Sequence, residues 1–310
     1  MVAIVGASAC NSKPKRIEDQ PRIEEVARNG DARDAENEAT AASYQKGCES
    51  GDAESCYRLG ILYEDGDGFV KDASKAASLY QRTCEAGNFS GCHALGHLHM
   101  IGSGVVKDAG KATALYRKSC DGGNLNGCVN LGLSYEDGLG VAQDLARAKM
   151  LYQRACDGGW KQGCTHLGLL YQSGIGVAQD VPRAATYYQG ACDGGEPAGC
   201  LSLGFLYEAG RGVAQDLPKA AALYEKSCDA KDPRACLALA LLCEDGRGVA
   251  RDVAKAAGLY RIACDGNELD GCHNLALLYQ TGNGVAQDKA KATALFHQAC
   301  VGGLAEDCSP

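Results

Sequence analysis

The chain has 310 residues, 31 Lys plus Arg against 39 Asp plus Glu, and a formal net charge of −8. That balance argues against a nucleic-acid backbone as the main partner, and no apolar run reaches the roughly 18 residues of a membrane span. Eighteen cysteines in one chain point instead to an oxidising compartment.

The chain opens on MVAIVGASAC, a short apolar run ending Ala7-Ser8-Ala9-Cys10. This has the form of the end of a bacterial lipoprotein signal, with Cys10 as the acylated residue and possession of a lipid anchor as the consequence. No Lys or Arg precedes Cys10 and the run is short, so residues 1–10 read either as a truncated signal or as a tail with an incidental cysteine. Residues 11–34 read as a linker leading into a weak first helix.

From residue 35 to 308 the chain repeats. Cysteines fall at Cys48/Cys56, Cys84/Cys92, Cys120/Cys128, Cys156/Cys164, Cys192/Cys200, Cys228/Cys236, Cys264/Cys272 and Cys300/Cys308, eight apart within each pair and 36 apart between pairs. A period of that length means a stack of small units rather than one large core. Residues 35–48 read as a degenerate second helix capping the array, with Tyr44 in register and Ser43 where later copies carry Leu. Seven complete repeats follow.

Aligned on the cysteines, each unit reads approximately C-x7-C-x-x-L-G-x-L-Y-E-x-G-x-G-V-x-x-D-x-x-K-A-x-x-L-Y-x-x-x-C. Cys128, Leu131, Gly132 and Tyr135 fall on one face of a first helix, and Gly138 and Gly140 end it. Asp144 is an N-cap for the second helix, which runs through Ala148, Leu151, Tyr152 and Cys156. Asp72, Asp108, Asp180, Asp216, Asp252 and Asp288 take the same place, and Pro182 and Pro218 fit the first turn that follows. The small residue at Gly60, Gly96, Gly132, Gly168, Gly204, Ala240 and Ala276 requires a close helix approach.

Two cysteines eight apart on one straight helix would hold their Cα atoms about 12 Å apart, too far for a disulfide. The intervening CDGGNLNGC-type loop ends one helix and starts another, so the two cysteines can face each other across a helix junction. Zinc has less support, because fingers favour closer cysteines and no histidine recurs with the pairs. In CEAGNFSGCHALGHLH, His93 and His97 lie four apart and could share a metal, while His99 fills the slot held elsewhere by Tyr. Cys243 fills the same slot and reads as a buried thiol.

The repeated L-G-x-L-Y-x-x-G-x-G-V-x-x-D-x-x-K-A-x-x-L-Y resembles the SEL-one-like repeat, a relative of the tetratricopeptide repeat, over roughly residues 48–308. With a cysteine pair at each junction it is similar to the cysteine-rich, Hcp-like branch. The resemblance implies an all-α fold, a right-handed α/α solenoid with one disulfide per repeat. It also implies a secreted, periplasmic or outer-membrane lipoprotein location, or, as in other cysteine-rich members, the mitochondrial intermembrane space. Members act mostly as scaffolds that hold proteins.

Some cysteine-rich members are described as penicillin-binding with weak β-lactamase activity, so a β-lactam- or peptidoglycan-binding protein is the alternative. Ser43-x-x-Lys46 and Ser12-x-x-Lys15 match the first element of a serine β-lactamase, but no S-D-N or K-T-G follows, and no residue is assigned a catalytic, cofactor or metal role. In stacked helix pairs the first helices commonly line the concave face. The polar members of the row two residues after the second cysteine, Arg58, Asn130, His166, Ser202 and Asn274, are therefore expected to face a protein or peptide partner. A second row, Glu64, Glu136, Glu208 and Glu244, would favour a basic one.

Overall fold

The computed structural model describes residues 39–66, 70–304 and 307. The signal-like segment with Cys10, the linker at 11–34, and Cys308 lie outside the described residues. Those described are helical with short connections, and contain no strand. After α1, described over 39–49, the helices are α2 (Ala53–Asp65), α3 (Ala73–Glu85), α4 (Phe89–Ile101), α5 (Ala109–Asp121), α6 (Leu125–Asp137) and α7 (Leu145–Asp157). Then come α8 (Lys161–Ser173), α9 (Val181–Asp193), α10 (Pro197–Ala209), α11 (Leu217–Asp229), α12 (Pro233–Asp245), α13 (Val253–Asp265), α14 (Leu269–Thr281) and α15 (Lys289–Gly302).

Two compact units divide the chain between Gly163 and Cys164, inside α8. In each, successive helices pack chiefly on their chain neighbours, as in α4 on α5 or α10 on α11, which is the packing of an α/α solenoid.

Local chemistry sets the helix ends. Asp144 accepts from the Arg147 amide, and Asp72, Asp108, Asp180, Asp216, Asp252 and Asp288 cap their helices in the same way. Each such contact satisfies a first-turn N–H that has no partner within the helix. First helices stop at a left-handed glycine such as Gly138, with φ 71°.

In each unit the core is built on second-helix tyrosines. Tyr80, Tyr152, Tyr188, Tyr224 and Tyr260 are almost wholly buried, each beside an alanine such as Ala76, Ala148 or Ala184 that is also sealed from solvent. The close approach read from the small-residue row is real: a Cβ on Gly132 would lie 2.5 Å from the Tyr152 ring. At the N-terminal end Tyr44 packs on Cys48, Cys56 and Leu59, so α1 covers the first complete repeat.

Disulfides close the junctions. Cys48–Cys56, Cys84–Cys92, Cys120–Cys128 and Cys192–Cys200 hold their Cα atoms 4.5 Å apart, Cys228–Cys236 4.7 Å and Cys264–Cys272 4.6 Å. Cys156, Cys164 and Cys300 are disulfide-bonded as well. Cys243 is a buried thiol in the Tyr slot of α12. Adjacent repeats are tied by cations that reach back to the preceding junction: Arg82 donates to the Cys48 carbonyl at 2.8 Å, Lys118 to that of Cys84 at 3.0 Å and Lys226 to that of Cys192 at 2.6 Å.

Candidate interaction surface

Each repeat presents the same first-helix positions to its surroundings, and they sort into rows. Of the residues expected to face a partner, Arg58 is exposed and paired with Glu54 at 2.7 Å, whereas Asn130, His166, Ser202 and Asn274 are half-buried. Asn130 does not project freely, because its amide donates to His93 Nε2 at 2.8 Å. His93 also rests against the Tyr116 ring, with centroids 5.8 Å apart. Burial, and then the neighbouring His97, push the His93 imidazole down to about 4, so it is neutral and accepts the Asn130 bond.

The histidine run is thereby dispersed into separate roles. His99 Nδ1 donates to the Val106 carbonyl at 3.1 Å, and among the described residues no group of three or more His, Cys, Asp or Glu is placed to hold a metal.

The glutamate row has a different role from the one expected of it. Tyr80 donates its hydroxyl to Glu64 at 2.7 Å, Tyr152 to Glu136 at 2.7 Å, Tyr224 to Glu208 at 2.7 Å and Tyr260 to Glu244 at 2.6 Å. Gln172 accepts from Tyr188 at 2.8 Å in the same way. These half-exposed carboxylates anchor the buried tyrosines, and Glu208 also takes Arg247 at 3.2 Å. Desolvation, joined by the carboxylate contacts, holds the Tyr80, Tyr152, Tyr224 and Tyr260 hydroxyls protonated far above the usual phenol range.

The row that does reach solvent is apolar. Leu169, Phe205, Leu241 and Leu277 occupy one register position on α8, α10, α12 and α14 and are 42, 49, 42 and 39% exposed. All four belong to the unit beginning at Cys164. His166, Ser202 and Asn274 lie three residues before Leu169, Phe205 and Leu277, one helical turn away on the same helices. Phe205 is held edge-on against Tyr224 with centroids 5.4 Å apart, so at least this member is fixed in place. The motif L-G-x-L-Y carried the signal: Leu, x, Leu and Tyr span more of the helix than a single buried stripe, and x is Ile, Leu or Phe in six of seven copies.

A row of cations lies over the Tyr slot. Lys75 sits 5.0 Å from the Tyr63 ring centre, Arg147 5.4 Å from Tyr135, Arg183 4.3 Å from Tyr171, Lys219 4.1 Å from Tyr207 and Lys291 5.3 Å from Tyr279. Lys75, Arg147 and Lys291 also pair with the capping aspartate three residues earlier. The same residues therefore join a helix start to the preceding helix.

Antiparallel helix pairs with disulfide-closed junctions, repeating every 36 residues and displaying side chains in register, define an α/α repeat protein. The Sel1 repeat matches residues 53–88, 90–124, 125–160, 161–196, 197–232, 233–268 and 269–303, and the chain belongs to that family. Among solved structures it is similar to c5321, a protective antigen of uropathogenic Escherichia coli strains displaying an SLR fold, at 25% identity and a TM-score of 0.62. That match covers 93% of this chain and 66% of the antigen, a little under two thirds of its length. A Sel1 repeat protein from Oxalobacter formigenes is 25% identical at a TM-score of 0.64, covering 79% of this chain and 96% of its own. Helicobacter pylori cysteine-rich protein B is 32% identical over 42% of this chain and 93% of its own, at a TM-score of 0.36. No curated protein matches.

Proteins of this family are typically protein-interaction scaffolds. The repeated disulfides are those of a secreted or periplasmic protein, and no described helix is long and apolar enough to cross a membrane.

Proposed function

We propose that the chain is an exported, non-catalytic scaffold that holds an extended peptide or protein segment along its first-helix face. The observation that carries this reading is the row Leu169, Phe205, Leu241 and Leu277, one exposed apolar side chain at constant register in each of the four repeats from 161 to 303. Such a row offers apolar contacts at regular intervals, and the neighbouring His166, Ser202 and Asn274 supply hydrogen bonds to a partner's backbone. The net charge of −8 favours a basic partner through the field of the whole chain. The Ala7-Ser8-Ala9-Cys10 segment supports attachment to a membrane through a lipid on Cys10, as in an outer-membrane lipoprotein.

The test is proximity crosslinking in the native envelope, followed by affinity measurement on the purified pair. A Phe205→Glu, Leu241→Glu double variant that keeps its disulfides should weaken binding at least about a hundredfold, the loss of two central apolar anchors. Undiminished binding by that variant would remove the first-helix face from the function.

A further inference from the structure

A second candidate site belongs to the unit ending at Gly163 and includes the Arg147–Tyr135 member of the cation row. Between α5, α6 and α7 a cleft of about 400 Å³ is lined by Arg117, Arg147 and Arg154 over Leu131, Tyr135, Met150 and Leu151, with Asp121 also in its wall. Arg117 donates to the Tyr135 hydroxyl at 3.0 Å, and Arg147 donates to the same oxygen at 3.1 Å. A phenol oxygen that accepts from two guanidiniums has its own O–H left to donate, so the cluster presents donors in need of an acceptor. Asp144 takes Arg147 Nε at 3.1 Å, which leaves Arg117 and Arg154 as the less neutralised members.

Comparison along the chain shows what is particular to this cleft. At the position of Arg117 the other complete repeats carry Gln81, Gln153, Gln189, Glu225, Arg261 and His297. Where Glu225 stands there, it takes the Lys255 ammonium at 3.0 Å and the corresponding pair is closed within the chain. With Arg117 in its place, two like charges converge on one oxygen, an arrangement that an entering anion would relieve. Arg154 occupies the position of Arg82, Lys118 and Lys226, which reach back to a cysteine carbonyl, yet it borders the cleft instead. Met150 is 68% exposed at the cleft, where the equivalent residues are Ser78, Ala114, Thr186, Ala222, Gly258 and Ala294.

The geometry points to a binding site for an amphipathic anion, a carboxylate carried on an apolar body. Planar guanidiniums fork onto the carboxylate, with the Tyr135 hydroxyl as a further donor, and Leu131, Met150 and Leu151 cover the apolar part. This site is independent of the first-helix face, and either can fail without the other.

Methionine supplies the reporter, because the chain holds only Met1, Met100 and Met150. With methyl-13C methionine in the oxidised full chain, titration with 3-phenylpropionate should move the Met150 methyl signal saturably and leave that of Met100 in place. The neutral isostere 3-phenylpropanamide should need at least about tenfold more, the loss of a charge-assisted contact. Arg117→Gln and Arg154→Gln should each weaken the acid by a similar factor. Both introduce a residue the chain already carries at the equivalent place, Gln81 or Gln298, so the fold accepts them.

An acetylated tripeptide ending in phenylalanine with a free carboxylate tells the two sources of this chemistry apart. If it moves Met150 at lower concentration than the small acid, the ligand is a chain terminus; if the small acid acts first, the ligand is a free metabolite-sized acid. Equal response to acid and amide, equal response to inorganic phosphate, unchanged binding by both variants, or no movement of Met150 would each overturn the proposal.

Discussion

His93 shows how far a single side chain can depart from its appearance in sequence. Written as one of three histidines after a cysteine pair, it looks like a ligand; folded, it is a half-buried neutral ring accepting from Asn130. Its burial has a consequence for pH. The folded imidazole titrates near 4 and the unfolded one near its ordinary 6.5, so between those values the unfolded state binds the additional proton. The stabilising contribution is fully present above about pH 6.5 and is lost as pH falls toward 4. Urea unfolding at pH 7 and 4.5 should show a drop that is smaller by about 2 kcal/mol in His93→Leu than in the parent chain. Leucine is the residue at the equivalent Leu201 and Leu237, and an identical drop in both proteins would place the buried charge penalty elsewhere.

Among the elements, the G-x-G turn between paired helices carries the sharpest constraint. Gly140 has φ 72°, and a Cβ there would lie 2.1 Å from the Ala109 carbonyl oxygen of the preceding repeat. Gly140→Ala should therefore cost about 2–4 kcal/mol through backbone strain and steric overlap together. Gly258, inside α13, meets nothing within 4 Å, and Gly258→Ala should raise stability by about 0.5–1 kcal/mol. Thermal unfolding of the two variants side by side checks both signs.

Most of this level was legible beforehand: the capping aspartates, the turn glycines, the alanine–tyrosine core and the helix junctions all follow from spacing. The roles of Glu64, Glu136, Glu208 and Glu244 were not. Each meets a tyrosine 16 residues further along the chain, on another helix, and helical periodicity reports only on neighbours three and four apart. The arginine cleft was hidden for the same reason, since Arg117, Tyr135 and Arg147 come from three helices.

For the molecule as a whole, the strongest expectation concerns thiol count. Of 18 cysteines, sixteen stand in the eight-residue pairs and two, Cys10 and Cys243, stand outside them. Alkylation of the denatured but unreduced full chain, read by intact mass, should add two labels, or one where Cys10 carries a lipid. Reduction first should add the remaining sixteen. Eighteen labels without reduction, or seventeen where Cys10 carries a lipid, would mean that the junctions close without covalent help and that the protein works in a reducing compartment.

The described bridges all join cysteines eight positions apart in sequence. Sixteen cysteines taken as an unordered set could pair in roughly two million ways, yet a thiol whose correct partner is eight residues off meets it far sooner than any other. Oxidative folding of such a chain is self-sorting: each junction can lock while the rest of the polypeptide is still emerging, and an isomerase has little to repair. The same locality makes the repeat a portable cassette. A copy can be duplicated or excised by recombination with its cross-link intact, which lets the length of the array vary without rewiring its chemistry.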